Sequence, residues 1–142
     1  FIHSFLYFCS RLTLPLMKKF LAIDDEKSIL MILNYVFGKK YDVIQKTNGL
    51  EAMQWIQDGN FPDVIVADFN MPEMNGFEFI QQIRSSGLYK NIPLIMLSGN
   101  ENTADKIKCL KAGADDYMVK PFNPEELEAR INNIFRRTSA QS

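Results

Sequence analysis

Side chains capable of polar chemistry follow four of the short apolar runs in the sequence, at the point where each run ends. They are Asp24 and Asp25 after the first run, Asp68 after the third, Ser98 after the fourth and Lys120 after the fifth. The carboxyl ends of parallel strands meet at one edge of a sheet, which is where ligands bind. If the runs are such strands, the five side chains share one cleft.

Charge decides what this cleft could hold. Three carboxylates in one place repel one another unless a cation lies among them. A hard divalent ion that prefers oxygen ligands, Mg²⁺ above all, would relieve the repulsion, with Mn²⁺ or Ca²⁺ as substitutes. The ammonium group of Lys120 would add a second positive charge.

Phosphoryl transfer is the reaction that suits these groups. A metal ion and Lys120 can neutralise phosphoryl oxygens, the hydroxyl of Ser98 can donate to one of them, and a carboxylate can attack in line. Asp68 is the best candidate for the attacking group, because it follows an apolar run, Val64–Ala67, and precedes a loop. The sequence therefore predicts an exposed nucleophile on a rigid support.

The elements that must position these residues alternate along the chain. Five brief runs, mostly rich in β-branched residues, predict strands. They are Phe20–Ile23, Asp42–Lys46, Val64–Ala67, Leu94–Leu97 and Asp116–Val119. The third and fourth runs are apolar enough to be buried on both faces.

Segments of helical period lie between and after these runs. The apolar faces predicted for the first four helices are Ile29, Leu33, Val36 and Phe37; Ala52, Met53 and Ile56; Phe77, Ile80 and Ile83; and Ile107, Leu110 and Lys111. The last helix is predicted to begin with Asn123 as its cap, Pro124 at the first position and Glu126 completing a capping box. Five strands alternating with five helices predict a doubly wound α/β fold, a parallel sheet covered on both faces.

Composition is that of one globular domain. The 142 residues are 46% apolar and 23% charged, and the net charge is −1. This balance gives no reason to expect direct binding of nucleic acid or a membrane surface. Cys9 and Cys109 have neither metal-ligand nor redox spacing, so we expect a reduced, cytoplasmic setting.

The first sixteen residues differ from the rest. They are apolar and aromatic, yet too short and too interrupted by Arg11 and Pro15 to span a bilayer, and they lack the pattern of a signal peptide. We interpret residues 1–16 as a non-native or disordered extension, with an apolar arm or anchor as the alternative. Residues 17–138 are predicted to form the domain, and residues 139–142 a polar tail.

Four motifs together closely resemble those of bacterial response-regulator receiver domains. They are IDDE at 23–26, VIVADFNMPEMNG at 64–76, PLIMLSG at 93–99 and KAGADDYMVKPF at 111–122. One motif alone would be weak, whereas four in the family's order and approximate spacing are specific. The resemblance covers Lys18–Arg137 and implies a flavodoxin-like (βα)5 fold with strand order 2-1-3-4-5.

The resemblance also implies a role for individual residues. Asp68 would be the phosphoacceptor, and the metal would be bound by Asp24, Asp25, Asp68 and the backbone carbonyl of Asn70. Ser98 would be the switch hydroxyl and Tyr117 the rotating aromatic residue. Lys120 would be the lysine that pairs with the phosphoryl group, and it would precede a cis peptide bond to Pro121. Phosphorylation would then draw in Ser98 and Lys120, let Tyr117 turn, and repack the face formed by the fourth helix, fifth strand and fifth helix.

Partners follow from the same resemblance. The phosphoryl group would come from a sensor histidine kinase or a phosphotransfer protein. A downstream effector or an output domain would read the switched face, and the chain would be a monomer or a weak, phosphorylation-favoured dimer. Such a domain catalyses its own phosphorylation and dephosphorylation without turning over a separate substrate, so it is not expected to be an enzyme in the usual sense.

Each residue has a simpler explanation when taken alone. The two adjacent aspartates could be an acidic helix start, Asp68 a turn residue, Ser98 a cap, Lys120 a solvated charge and Tyr117 ordinary packing. These explanations are independent of one another, whereas one site accounts for all five groups of residues.

The alternative functions are a pseudo-receiver that docks partners without phosphorylation, and a phosphatase or flavin protein on the same topology. The phosphatase would need an acid where this chain has Asn70, and phosphate of a flavin would be repelled by Asp24 and Asp25.

Overall fold

A computed structural model describes residues 16–141, with side chains as far as Thr138. Strands and helices alternate in the order β1 (Lys19–Ile23), α1 (Lys27–Phe37), β2 (Asp42–Lys46), α2 (Gly49–Gln57), β3 (Val64–Asp68), α3 (Gly76–Ser85), β4 (Leu94–Ser98), α4 (Thr103–Ala112), β5 (Asp116–Val119) and α5 (Pro124–Gln141). The predicted extension was residues 1–16, and residues 1–15 of it lie outside the described part of the chain. None of the described helices combines the length and apolar character that a membrane span requires.

The five strands form one parallel sheet in the order β2-β1-β3-β4-β5, which confirms the predicted fold class and strand order. The register pairs Ile23 with Ala67, Asp68 with Leu97, and Ser98 with Val119. The three central strands therefore end at the same level. Because all of them run in the same direction, the residues that follow them meet at one edge.

The core lies in two layers, one on each face of the sheet. Alternate strand residues point to opposite faces, so Phe20 and Ala22 pack with α1 and α5 while Leu21 and Ile23 pack with α2, α3 and α4. Every residue of β3 and β4 is buried, as the sequence predicted for strands covered on both faces. This double burial makes the central strands a rigid platform for the residues at their ends.

The buried face of α1 was predicted with partial success. Leu33 and Phe37 are buried as expected, but Leu30 is the third core residue of this helix, and Ile29 and Val36 are only partly buried. Several apolar residues on α1 lie outside the core. The face predicted from periodicity alone is therefore rotated by about one residue from the face that is buried.

The face predicted for α4 is wrong. Cys109 is the one described α4 residue that is buried, whereas Ile107 is 46% and Leu110 39% exposed. This helix lies beside the edge strand β5 and against α3, so only a narrow stripe of it meets the core. Burial raises the pKa of the Cys109 thiol to about 11, which suits an apolar filler.

The carboxyl end of α4 is held firmly by Arg84 from the end of α3. The Arg84 Nε donates to the Gly113 carbonyl at 2.9 Å, and another nitrogen donates to the Ile92 carbonyl at 2.6 Å. The same guanidinium pairs with Asp115 at 3.1 Å, while Asp115 accepts from the Leu94 N–H at 2.8 Å. One side chain thus joins α3, β4 and the turn where α4 ends.

The start of α5 agrees in part with the capping prediction. The Asn123 side chain accepts from the Glu125 N–H at 2.8 Å, so it caps the helix as expected. The Glu126 carboxylate instead accepts from Arg130 at 2.8 Å, one turn further along. The helix continues to Gln141 and so includes most of residues 139–142, which were predicted to be a polar tail.

Glu73, in the loop after β3, has a φ of 69°, a left-handed conformation that favours glycine. This conformation costs a residue with a side chain about 1 kcal/mol or more. Glu73→Gly removes this cost, but glycine also has greater conformational freedom in the unfolded chain, which lowers stability. The net result should be an increase of about 0.5 kcal/mol in the free energy of unfolding. Urea unfolding measures the change.

Glu101→Gly is the matched control, because exposed Glu101 also lies in a loop but has no positive φ. This substitution should leave stability unchanged or lower it. A similar gain in both variants would show that loss of a surface charge, and not relief of the backbone, explains the effect.

Candidate functional site

Three polar side chains are buried among residues 16–138, and all three lie at the carboxyl edge of the sheet. Asp24 follows β1, Asp68 is the last residue of β3 and Ser98 is the last residue of β4. Burying a polar side chain is costly unless it is paired. Their shared position at one edge therefore indicates a site rather than chance.

The acidic part of the site consists of Asp24, Asp25 and Asp68. One carboxylate oxygen of each lies within 4.8 Å of the others, which is close enough for one ion to touch all three. Asp24 and Asp68 are buried while Asp25 is exposed, so the group opens to solvent on one side. The prediction that Asp68 itself is exposed is wrong, because it is still part of β3, a strand covered on both faces. The Asp24 carboxylate also accepts from the Glu26 N–H at 2.9 Å, which fixes its orientation.

Lys120 reaches into this acidic group from the loop after β5. Its Nζ lies 2.7 Å from Asp24 Oδ2 and 3.4 Å from Asp68 Oδ1, and the side chain is 10% exposed. Glu26 Oε1 lies 3.6 Å from the same Nζ. The Lys120 backbone N–H donates to the Ser98 carbonyl at 2.7 Å, and the peptide bond to Pro121 is cis. The lysine thus bridges the two buried carboxylates.

One ammonium group does not neutralise the cleft. Burial is the main reason that the pKa of Asp68 rises to about 6, with the charge of Asp24 adding to it and Lys120 opposing it. Burial also raises the pKa of Asp24, against the hydrogen bond from Lys120. Burial lowers the pKa of Lys120, but its hydrogen bond to Asp24 and the neighbouring negative charges outweigh this and leave that pKa raised.

The residues present fit a hard divalent cation. Carboxylate oxygens are the ligands that Mg²⁺ prefers, and three of them converge on the open side of the cleft. Burial, with the charge of Asp24 adding to it, raises the pKa of Asp68 to about 6, so a cation at this place would favour the charged form of Asp68. Asn70, the fourth predicted contributor, lies two residues after Asp68 in the loop, with its side chain exposed.

Ser98 and Tyr117, the predicted switch residues, are both buried and share a neighbour. The Ser98 Oγ accepts from the Asn100 N–H at 3.0 Å. Tyr117 is 4% exposed, and its hydroxyl donates to the Asn100 carbonyl at 3.1 Å. The structure therefore places the Tyr117 ring inward, beside the strand that carries Ser98.

Three residues that support the site were not assigned a role from the sequence. Glu26 is a third acidic neighbour of Lys120, and its place beside Asp24 and Asp25 in the IDDE motif could have indicated this. Gly76 starts α3 so close to β3 that a Cβ there would lie 2.8 Å from the Asp68 carbonyl. Asn100 carries no sequence signal, because its contacts depend on the shape of a loop.

Comparisons with known proteins agree with this geometry. The sequence profile described as "Response regulator receiver domain" matches residues 20–132. The chain therefore belongs to the family of response regulator receiver domains, which act as phosphoacceptors and signalling switches in two-component systems.

Individual relatives differ in length. The chain is 41% identical over 122 residues to the alkaline phosphatase synthesis transcriptional regulatory protein PhoP of Bacillus subtilis, covering 85% of this chain and 50% of PhoP. It is 34% identical over 118 residues to the chemotaxis protein CheY1 of Helicobacter pylori, covering 82% of this chain and 95% of CheY1. The chain thus spans about half the length of PhoP and nearly all of CheY1.

The fold is shared with solved receiver structures. The chemotaxis response regulator CheY4 of Vibrio cholerae superimposes with a TM-score of 0.77 at 37% identity, covering 84% of this chain and 99% of CheY4. The receiver domain of the Francisella response regulator 1452 gives a TM-score of 0.76 at 36% identity.

Removing the charge of Asp68 should stabilise the metal-free protein. The folded-state pKa of about 6 lies above the value of about 3.9 in an unfolded chain, so ionising this group disfavours folding. The penalty is absent below about pH 4, grows as pH rises to about 6 and is complete above that. Asp68→Asn should therefore raise the free energy of unfolding by about 2 kcal/mol at pH 7 in the presence of a chelator, and by little at pH 4.

Urea unfolding at the two pH values measures this difference. Asp42→Asn is the control, because Asp42 is exposed at the start of the edge strand β2, far from the cleft in the sheet. It should change stability little at either pH. A gain for Asp68→Asn that is the same at pH 4 and pH 7 would contradict the electrostatic explanation.

Proposed function

We propose that Asp68 accepts a phosphoryl group from a phosphohistidine on a sensor histidine kinase or phosphotransfer protein, in a Mg²⁺-dependent reaction. The observation that carries this proposal is the single cluster in which Lys120 lies 2.7 Å from Asp24 and 3.4 Å from Asp68, beside three converging carboxylates. A negatively charged nucleophile and a negatively charged phosphoryl group can approach only where positive charge offsets both.

The chemistry of the transfer uses groups that are already in place. A carboxylate oxygen of Asp68 forms a bond to phosphorus as the phosphorus–nitrogen bond to the donor histidine breaks, and the departing imidazole keeps that electron pair. Lys120 and the Ser98 hydroxyl donate hydrogen bonds to phosphoryl oxygens. A bound divalent ion supplies neutralisation of the phosphoryl charge. Asp68 sits at the end of a strand buried on both faces, which fixes its position for in-line attack.

The proposed metal ligands are the carboxylates of Asp24, Asp25 and Asp68 and the backbone carbonyl of Asn70. Support comes from the carboxylate oxygens of the three aspartates, which lie within 4.8 Å of one another. Mn²⁺ or Ca²⁺ can replace Mg²⁺ because all three accept oxygen ligands, although Ca²⁺ demands a larger coordination shell.

The proposed output is a change in the face formed by α4, β5 and α5. Phosphorylation adds charge of about −1.5 to −2 and three acceptor oxygens beside Ser98 and Lys120, which biases an equilibrium between two positions of Tyr117. The exposed Ile107 and Leu110 of α4 support the proposal that this face binds a partner, since apolar side chains left uncovered often mark interaction surfaces.

The proposed setting is the cytoplasm, with the sensor kinase upstream and an effector protein or an output domain downstream. PhoP, which is named as a transcriptional regulator, is about twice as long as the match, whereas CheY1 is matched almost completely. Both arrangements use the receiver domain, here proposed to span residues 17–138, as the switch. We further propose that it makes no direct contact with nucleic acid or membrane and remains a monomer or a weak dimer favoured by phosphorylation.

Incubation with acetyl phosphate and Mg²⁺ should add one phosphoryl group of about 80 Da to the intact chain, as mass spectrometry would measure. Asp68→Asn should gain nothing, because an amide oxygen is a poor nucleophile, and Asp25→Ala or added chelator should greatly slow the gain. The pseudo-receiver hypothesis predicts no gain in any variant. An unchanged gain in Asp68→Asn would overturn the acceptor assignment.

Tyr117→Ala should leave the rate of phosphorylation by acetyl phosphate within about threefold of the native rate, because the Tyr117 hydroxyl contacts Asn100 and not the carboxylates. The response of the α4–β5–α5 face should weaken, measured as the change in amide hydrogen exchange of residues 103–112 on phosphorylation. Tyr41→Phe is the control, since Tyr41 is buried against Phe20 and Phe37 on the other face of the sheet. If Tyr117→Ala abolished phosphorylation, Tyr117 would be a support of the site and not a relay from it.

A further inference from the structure

Asn100, two residues after Ser98, is the point where three parts of the switch meet. Its backbone N–H donates to Ser98 Oγ at 3.0 Å, and its carbonyl accepts from the Tyr117 hydroxyl at 3.1 Å. Its side-chain Nδ2 donates to Asp105 Oδ2 in the first turn of α4 at 2.8 Å. Its side-chain Oδ1 accepts from the Asn102 N–H at 2.8 Å. Strand, aromatic ring and helix are thus joined through one residue.

The bond to Ser98 orients a hydroxyl without consuming its proton. A serine hydroxyl has one proton to donate and lone pairs that accept. Because the Asn100 N–H occupies a lone pair, the proton of the Ser98 hydroxyl stays available to another acceptor. The position of the Asn100 backbone therefore determines where that proton can point.

The bond from Tyr117 ties the ring to the same backbone. Tyr117 is 4% exposed, so its hydroxyl must find a protein partner while the ring stays inward. The Asn100 carbonyl accepts from it, and the Ser98 side chain is a second hydrogen-bonding neighbour. If the loop moves, the hydroxyl loses the Asn100 carbonyl as an acceptor and the inward position of the ring becomes less favourable.

The Asn100 side chain fixes the backbone that makes both bonds. Its two bonds, to Asp105 and to the Asn102 N–H, anchor the β4–α4 loop to a helix of which only Cys109 is buried among the described residues. The Asp105 bond involves a carboxylate and is partly buried, so it is stronger than a neutral, exposed one.

We propose that Asn100 is a positioning residue of the switch, whose side-chain bond to Asp105 holds the loop where its backbone keeps Tyr117 inward and orients the Ser98 hydroxyl. The inference rests on the proposed function in taking Ser98 and Tyr117 as the switch residues. It adds the side-chain bond from Asn100 to Asp105, which ties the loop between these two residues to the first turn of α4.

The test measures the position of Tyr117 in the unphosphorylated full chain labelled with 3-fluorotyrosine, by ¹⁹F NMR, with Tyr117→Phe to assign the resonance. Asn100→Ala and Asp105→Ala should each lower the ratio of inward to outward ring by about threefold to tenfold, the effect of one hydrogen bond of this kind. Asp105→Asn should keep nearly the native ratio, because its side-chain carbonyl still accepts from Asn100.

Asn102→Ala is the matched control. It removes a side-chain bond of similar length at the same helix start, 2.8 Å to the Ala104 N–H, but that side chain makes no hydrogen bond to Ser98 or Tyr117. The ratio should stay at the native value. An unchanged ratio in Asn100→Ala, or an equal shift in Asn102→Ala, would overturn the proposal, since the second result would show only that α4 had loosened.

The proposed function and the inference about Asn100 can be tested independently of each other. The gain of about 80 Da in the native chain tests phosphorylation and does not involve the Asn100 side chain. The ring ratio is measured without any phosphodonor. A native chain that gains no phosphate would remove the proposed function yet leave the effect of Asn100 on Tyr117 measurable.

Discussion

The contact between the Lys120 ammonium and two buried carboxylates is the constraint on which the rest of the site depends. Asp24 and Asp68 are drawn out of water at the ends of adjacent strands, where each would repel the other. Lys120 lies close enough to both to hold them together, at 2.7 Å and 3.4 Å. The cation still leaves the cleft negatively charged, so the site is stable enough to form and remains suited to binding further positive charge.

The fold brings these polar groups together without further elements, because the carboxyl ends of all the parallel strands lie at one edge of the sheet. A buried strand needs only apolar residues along its length, and the residue at its carboxyl end then lies at this edge. Asp68 and Ser98 are the last residues of β3 and β4, and the loop after β5 brings Lys120 back across that edge. The polar groups thus form a cluster although they are separated by tens of residues in the sequence.

This regularity also explains what could be predicted from the sequence. The strand ends were evident from the apolar runs, and with them the positions of Asp24, Asp68, Ser98 and Lys120. The exposure of Ile107 and Leu110 was not evident, because periodicity shows that a helix has an apolar face but not whether another element covers it. The role of Asn100 could not be predicted for a different reason. Its contacts arise from a loop whose shape depends on the packed structure around it.

The attachment of α4 through Arg84 at its carboxyl end has a consequence for local stability. At the carboxyl end, Arg84 bonds to Gly113, Ile92 and Asp115, whereas the middle of the helix buries only Cys109 among the described side chains. Segments with few buried contacts open with free energies well below that of global unfolding. Opening of α4 should accordingly stop before Gly113, where Arg84 holds the turn. The helix can then loosen and reform while the sheet beneath it stays folded, which confines the conformational change to this one element.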